Sequence, residues 1–154
     1  LRVAGELADR GGGSIVTQDH VREALREIER DRVSEALKSL PLHSKLLILA
    51  VYLLGGRSSD GSITGDVYTV YEELCRSVAV EPLTQRRVSG LISDLDGLGV
   101  LNARVVSFGR YGRTKRIRLG IAATMVYEVL RSDDVAGRLF HYVPRCLQKR
   151  TVRP

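Results

Sequence analysis

Cations crowd one stretch of this chain, and a fixed array of cations has one obvious chemistry, the binding of phosphate. The 35 residues from Thr84 to Arg118 hold eight Lys/Arg (Arg86, Arg87, Arg104, Arg110, Arg113, Lys115, Arg116, Arg118) against two acids, Asp94 and Asp96. Their local charge of +6 equals the net charge of the whole protein. A guanidinium forks onto phosphate oxygens through paired N–H donors, and an ammonium adds a compact point charge. The tail from Arg138 contributes five more cations (Arg138, Arg145, Lys149, Arg150, Arg153) and no acid. Everything outside these two stretches has 11 basic and 16 acidic residues, so a mildly acidic body carries segregated positive charge. That distribution, more than the pI near 9.7, points to a polyanionic partner.

Two elements must position these groups. In TQRRVSGLISDLDGLG the apolar residues Val88, Leu91, Ile92, Leu95 and Leu98 recur at helical spacing. Facing them inward leaves Arg86, Gly90, Ser93 and Gly97 on the other side. Thr84, Gln85, Arg86 and Arg87 gather at the N-terminus, where free amides and the helix dipole favour phosphate. Two glycines within a helix cost about 1 kcal/mol each relative to alanine, a cost that close approach to a groove would justify. Strand-like Val100–Ser107 and Lys115–Leu119 follow, joined by a turn at Phe108–Thr114. The turn alternates glycine with cations and has no acid. The expected DNA-binding residues are Thr84, Gln85, Arg86, Arg87, Ser89, Gly90 and Ser93 on the helix. On the hairpin they are Arg104, Arg110, Tyr111, Gly112, Arg113, Thr114, Lys115 and Arg116. An ordinary surface helix and a charged strand edge explain each element separately, but an edge usually mixes signs. A groove-entering helix followed by a basic hairpin is the layout of a winged-helix DNA binder.

The rest of the chain supplies the body of such a domain. Leu1–Arg10 reads as a helix stopped by Gly11-Gly12-Gly13-Ser14, and Thr17 caps the next one. There Val21, Ala24, Leu25 and Ile28 form one stripe, and Val33, Ala36, Leu37 and Leu40 form another rotated by about 110°. A helix that changes its buried side packs on two bodies, which places a domain boundary near Arg32. His43–Leu54 is strongly apolar. Asp66 is the expected cap of a helix carrying Val67, Val70, Tyr71 and Leu74. Ala122–Arg131 closes the fold, and the chain after Pro144 looks frayed. The expected fold is mainly α with a small β-hairpin, a winged helix-turn-helix over 33–154.

Other chemistries find little support. His20, His43 and His141 share no metal-ligand spacing with Cys75 or Cys146, so no metal site is expected. Cys75 reads as a core thiol, Tyr68 and Tyr71 as packing, and Glu72-Glu73 as a solvated face; no catalytic constellation is visible. Two cysteines build no disulfide framework, and no apolar run reaches transmembrane length, so a reduced compartment, the cytoplasm, is expected, and DNA binding adds association with the nucleoid. The chain begins at Leu1 rather than Met, which is expected of a fragment of something longer.

In order along the chain, several stretches resemble the archaeal origin-recognition replication initiators. LRVAGELADR resembles the helix of the AAA+ lid just past its sensor arginine, and VTQDHVREALREIERDRVSEALKSLPLHSKLLILAV resembles the lid-to-winged-helix junction. The segment from Val67 to Leu119 is similar to the winged-helix core, with PLHSK and PLTQRR the most distinctive stretches. The resemblance implies that 1–32 is the end of an AAA+ lid contributing two helices. It also implies that Thr84–Arg87 begin a recognition helix, that Arg110–Arg116 form the wing, and that double-stranded origin DNA is the partner. A replicative helicase and other initiator subunits are further implied partners. ATP and magnesium are implied only for the AAA+ module. This chain has no Gly-x-x-x-x-Gly-Lys-Ser/Thr, so no cofactor and no enzymatic activity are expected of it. A winged-helix transcription regulator dimerising through Ala122–Arg131, and a winged helix used for protein docking, are the alternatives; the fragment itself is expected to be a monomer.

Overall fold

A computed structural model describes residues 15–148, which fall in two compact units, Leu1–Ser39 and Leu40–Pro154. The expected helix at Leu1–Arg10, its glycine stop and the cations Lys149, Arg150 and Arg153 lie outside the described residues. In the first unit one continuous helix, α1, spans Gln18–Ser39. Thr17 caps it reciprocally: the His20 amide donates to Thr17 Oγ1 at 3.4 Å and the Thr17 amide donates to His20 Nδ1 at 3.1 Å. The boundary expected near Arg32 falls inside this helix, and the units divide after Ser39. Of the first stripe only Ala24 is buried, while Val21 and Leu25 are exposed; the second stripe centres on Leu37, which is fully buried.

The second unit is built around α2, Leu42–Leu54. Leu46 to Val51 are all buried, so this helix is apolar on every side and must lie inside the unit. Packed on it are α3 (Thr64–Ser77), α4 (Gln85–Gly97) and α5 (Ala123–Leu130). A three-stranded antiparallel sheet completes the unit: β1 (Ser62–Ile63), β2 (Leu101–Ser107) and β3 (Arg113–Leu119), in the order β1-β3-β2. The loop after α2 thus does more than end a helix, since it feeds β1. Gly61 makes that entry possible with φ +91°, and a side chain there would strike the Ile117 carbonyl.

Several local expectations are corrected by contacts distant in sequence. Asp66 is not a cap, because α3 begins at Thr64 and Asp66 sits in its first turn. Leu98 is exposed rather than core; the helix ends at Gly97 and Leu98 turns outward. β3 begins at Arg113, two residues before the expected start, and a single turn of 3-10 helix at Gly109–Tyr111 fills the hairpin tip. Glu73 is half-buried and not free in solvent: it accepts hydrogen bonds from the Tyr142 hydroxyl at 2.9 Å and the Arg145 amide at 3.0 Å. Those bonds tie down the segment expected to fray, which forms a short helix, α6 (Arg145–Gln148). Cys75 is a buried thiol whose pKa is pushed up by desolvation, consistent with packing. No single helix among the described residues is long and apolar enough to cross a membrane.

One ion pair locks the closing elements to the central helix. Lys45 Nζ meets Asp133 Oδ2 at 2.7 Å, and both side chains are largely withdrawn from solvent. Burial alone would raise the Asp133 carboxyl. The Lys45 hydrogen bond and the Ala136 and Val135 amides outweigh it and hold the group below its ordinary value of 3.8. A depressed carboxyl contributes stability that is complete above its unfolded pKa and is lost as pH falls through its folded one. Urea denaturation from pH 6 downward should therefore show a loss confined to the region below about pH 4. Asp133→Asn should flatten that loss and cost about 1–3 kcal/mol at pH 7.

Candidate nucleic-acid interface

The helix that presents the first cations is held at its entrance by two tyrosines. Thr84 is the N-cap of α4, its hydroxyl accepting the Arg87 amide at 3.4 Å. The preceding residue, Leu83, has both backbone polar groups engaged from α3: its carbonyl accepts the Tyr68 hydroxyl at 2.9 Å, and its amide donates to the Tyr71 oxygen at 3.1 Å. Tyr71 is fully buried, desolvation raises its phenol well above the ordinary value, and its oxygen lies 2.7 Å from His43 Nδ1 on α2. Tyr68 and Tyr71 pack, as the sequence implies, and their hydroxyls also fix where α4 begins. Val88, Ile92 and Leu95 then seat the helix in the core.

Arg86, Arg87, Ser89, Gly90 and Ser93 are all exposed along the outer side of α4. A methyl group added at Gly90 would meet nothing within 4 Å, so no intramolecular packing accounts for a glycine in this helix. On the sheet side, Lys115 Nζ donates to Ser93 Oγ at 3.1 Å, and Ser93 Oγ donates to the Ser89 carbonyl at 3.2 Å. This chain of bonds joins the hairpin to the exposed side of the helix. Asp96 holds the hairpin root, accepting the Ala103 amide at 3.0 Å.

The strand register decides which cations share that side. Leu101 pairs with Leu119, Ala103 with Ile117, Val105 with Lys115 and Ser107 with Arg113, so these residues share one face of the hairpin. Ile117 and Leu101 are buried at its root, which makes this the inner face, and Lys115 and Arg113 continue it outward. Arg104, paired with Arg116, lies on the outer face together with Asn102, Arg118, Val106 and Thr114. Arg116 is half-buried and donates to the Gly61 carbonyl at 3.2 Å. The structure therefore joins Lys115 to α4, places Arg113 on the same face of the hairpin, and sets Arg104, Thr114 and Arg116 on the opposite face. Parity with Ile117 carries this split: an apolar residue that must point inward takes every second neighbour with it.

Arg110, Tyr111 and Gly112 form the tip. Tyr111 is 89% exposed, an unusual setting for an aromatic ring. Gly112 adopts φ +89°, which permits the closing bond from the Phe108 amide to its carbonyl at 2.9 Å. Among the described residues, no cation between Thr84 and Arg118 is paired with an acid, and no group of three or more His, Cys, Asp or Glu could hold a metal.

The chain matches the family described as the CDC6 C-terminal winged helix domain over residues 35–129. An ORC1-type DNA replication protein of Thermococcus kodakarensis is 54% identical over 134 residues, 87% of this chain and 32% of the relative. That of Pyrococcus horikoshii is 52% identical over 152 residues, 99% of this chain and 36% of the relative. This chain thus spans about a third of the length of the curated relatives it matches. Among solved structures, the Aeropyrum pernix ORC1 protein in complex with DNA superimposes with a TM-score of 0.82 at 45% identity, covering 90% of this chain and 36% of that one. Drosophila ORC bound to DNA shares the fold, with a TM-score of 0.58 at 22% identity, covering 84% of this chain and 33% of that one.

If the tyrosine hydroxyls set the start of α4, removing one should be felt in stability. Tyr71→Phe leaves the Leu83 amide without its acceptor and should cost about 1–3 kcal/mol in urea denaturation. Lys115→Met removes an exposed bond and should change stability by less than about 0.5 kcal/mol.

Proposed function

This chain belongs to the CDC6 C-terminal winged helix domain family, and from that premise we propose that it binds double-stranded DNA at replication origins as the C-terminal module of a replication initiator. In this reading the N-terminal end of α4 enters the major groove, with Gln85 and Arg86 nearest the base edges. The wing tip, Arg110 to Arg113, lies on the adjacent backbone and minor groove, where arginine forks onto phosphate or enters a narrow groove. The observation that carries the proposal is the Lys115–Ser93–Ser89 chain of hydrogen bonds, which joins the inner face of the wing to the exposed side of the helix. The winged-helix domain of the family is non-catalytic, and ATP and magnesium belong to the AAA+ module of the longer protein. A replicative helicase and other initiator subunits are the partners this role calls for. A dimerising regulator would need a free apolar face on its closing helix, whereas Val126, Val129 and Leu130 of α5 are buried within the unit.

Fluorescence anisotropy across a salt series, with an origin-derived duplex and a scrambled one, tests the proposal. Neutralising roughly five phosphates gives a slope of log K against log salt near −4 to −5. Arg110→Ala or Arg113→Ala should weaken both duplexes alike, whereas Gln85→Ala or Arg86→Ala should lower discrimination by about 1–3 kcal/mol. Gly90→Ala should separate binding from folding, raising stability by about 0.5–1 kcal/mol while weakening DNA. Wild-type protein that binds neither duplex would overturn the proposal.

A further inference from the structure

The outer face of the wing carries an arrangement that folding alone does not favour. Arg104 on β2 lies directly across from Arg116 on β3, and Asn102 lies across from Arg118. Like charges placed opposite each other on one face of an antiparallel pair destabilise it. No acid neutralises them by an ion pair among the described residues. The side chains instead line a concavity of about 70 Å³ whose one acidic member is Asp60. Three guanidiniums against one carboxylate leave it a surplus of two positive charges. Its size and its guanidinium lining suit a single tetrahedral oxyanion. Arg116 is already held by the Gly61 carbonyl at 3.2 Å, so part of the donor set is fixed before anything binds.

We propose that Asn102, Arg104, Arg116 and Arg118 form a second phosphate site, separate from the surface shared by α4 and the inner face of the wing, and that it holds a phosphodiester of the bound DNA. The assignment to DNA rests on the function proposed above. A hairpin is one layer thick, so a polyanion that meets its tip and inner face also lies within reach of its outer face. Free phosphate has the same chemistry, and the test separates the two sources. The site makes Arg118 and Asn102 part of the contact and gives Arg104 and Arg116 a phosphate other than the one met by Arg113 and Lys115.

The test uses the whole chain with Arg104→Gln/Arg118→Gln, and with Arg113→Gln/Lys115→Gln for comparison, in anisotropy salt series on duplex DNA. Loss of this one phosphate contact should make the slope shallower by about 1 and weaken every sequence several-fold. Circular dichroism melting should show an unchanged or higher midpoint, because a like-charge pair has been relieved. Arg104→Lys/Arg118→Lys keeps the charge and should retain most of the slope. Wild-type slope and affinity in the glutamine variant, with loss only in the inner-face variant, would overturn the second site and leave the proposed function standing. Wild-type protein that binds no DNA would remove both. Amide shifts at Arg104 and Arg118 that saturate with inorganic phosphate, beside an unchanged DNA slope, would assign the site to a free anion and overturn the DNA source.

Discussion

The clamp on Leu83 is the constraint on which the rest of the site depends. A winged-helix domain works only if the exposed helix leaves the core at a fixed angle, and a chain entering a helix has few means of enforcing one. Here both polar groups of the residue before the N-cap are taken by phenols from α3. One of those phenols is fully buried and lies beside His43 on the central helix. The direction of α4 is thus referred to the α2 core through two hydrogen bonds and one ring. Thr84 then supplies a long, exposed capping bond of modest strength. The hydroxyls fix the position, and the apolar stripe of Val88, Ile92 and Leu95 supplies most of the burial energy.

Charge is arranged on this frame by strand parity. The body of the chain is mildly acidic, so cations gathered on one hairpin and one helix end create a local field without changing the fold. Because successive side chains alternate across a strand, the wing cannot turn all its arginines one way. Arg113 and Lys115 follow Ile117 to the inner side, while Arg104, Arg116 and Arg118 go to the outer. Lys115 reaches Ser93 and unites wing with helix, and Arg116 reaches Gly61 and braces the wing against the start of β1. The hairpin is therefore a strut, bonded to α4 on one side and to the start of β1 on the other.

Much of this was legible in the sequence where the signal is local. Periodicity located α2, α4 and α5 to within a residue or two, and a turn after Phe108 followed from its glycines, although it closes at Gly112 and not at Thr114. The run of cations on the hairpin and helix, segregated from a mildly acidic body, was readable from composition alone. What escaped notice depends on contacts between distant residues. β1 is two residues long, too short for any period, and exists because β3 offers it an edge. Glu73 looks like a surface acid until Tyr142 and Arg145 close on it from about 70 residues away. The roles of Tyr68 and Tyr71 as clamps, rather than simply as packing, rest on hydroxyl positions that no pattern of types encodes. The division of the wing cations was readable from the parity of Ile117, but only once the register was fixed.

The central claim is that the start of α4 and the wing act as one DNA surface. An amide NMR titration of this 17.0 kDa chain with a short duplex tests it most directly. The expected result is shifts concentrated at Thr84–Ser93 and along Arg104–Arg118, moving together with one affinity, while α5 and the far side of α2 stay still. Shifts confined to α1 or to α5, or helix and wing responding with separate affinities, would contradict the claim.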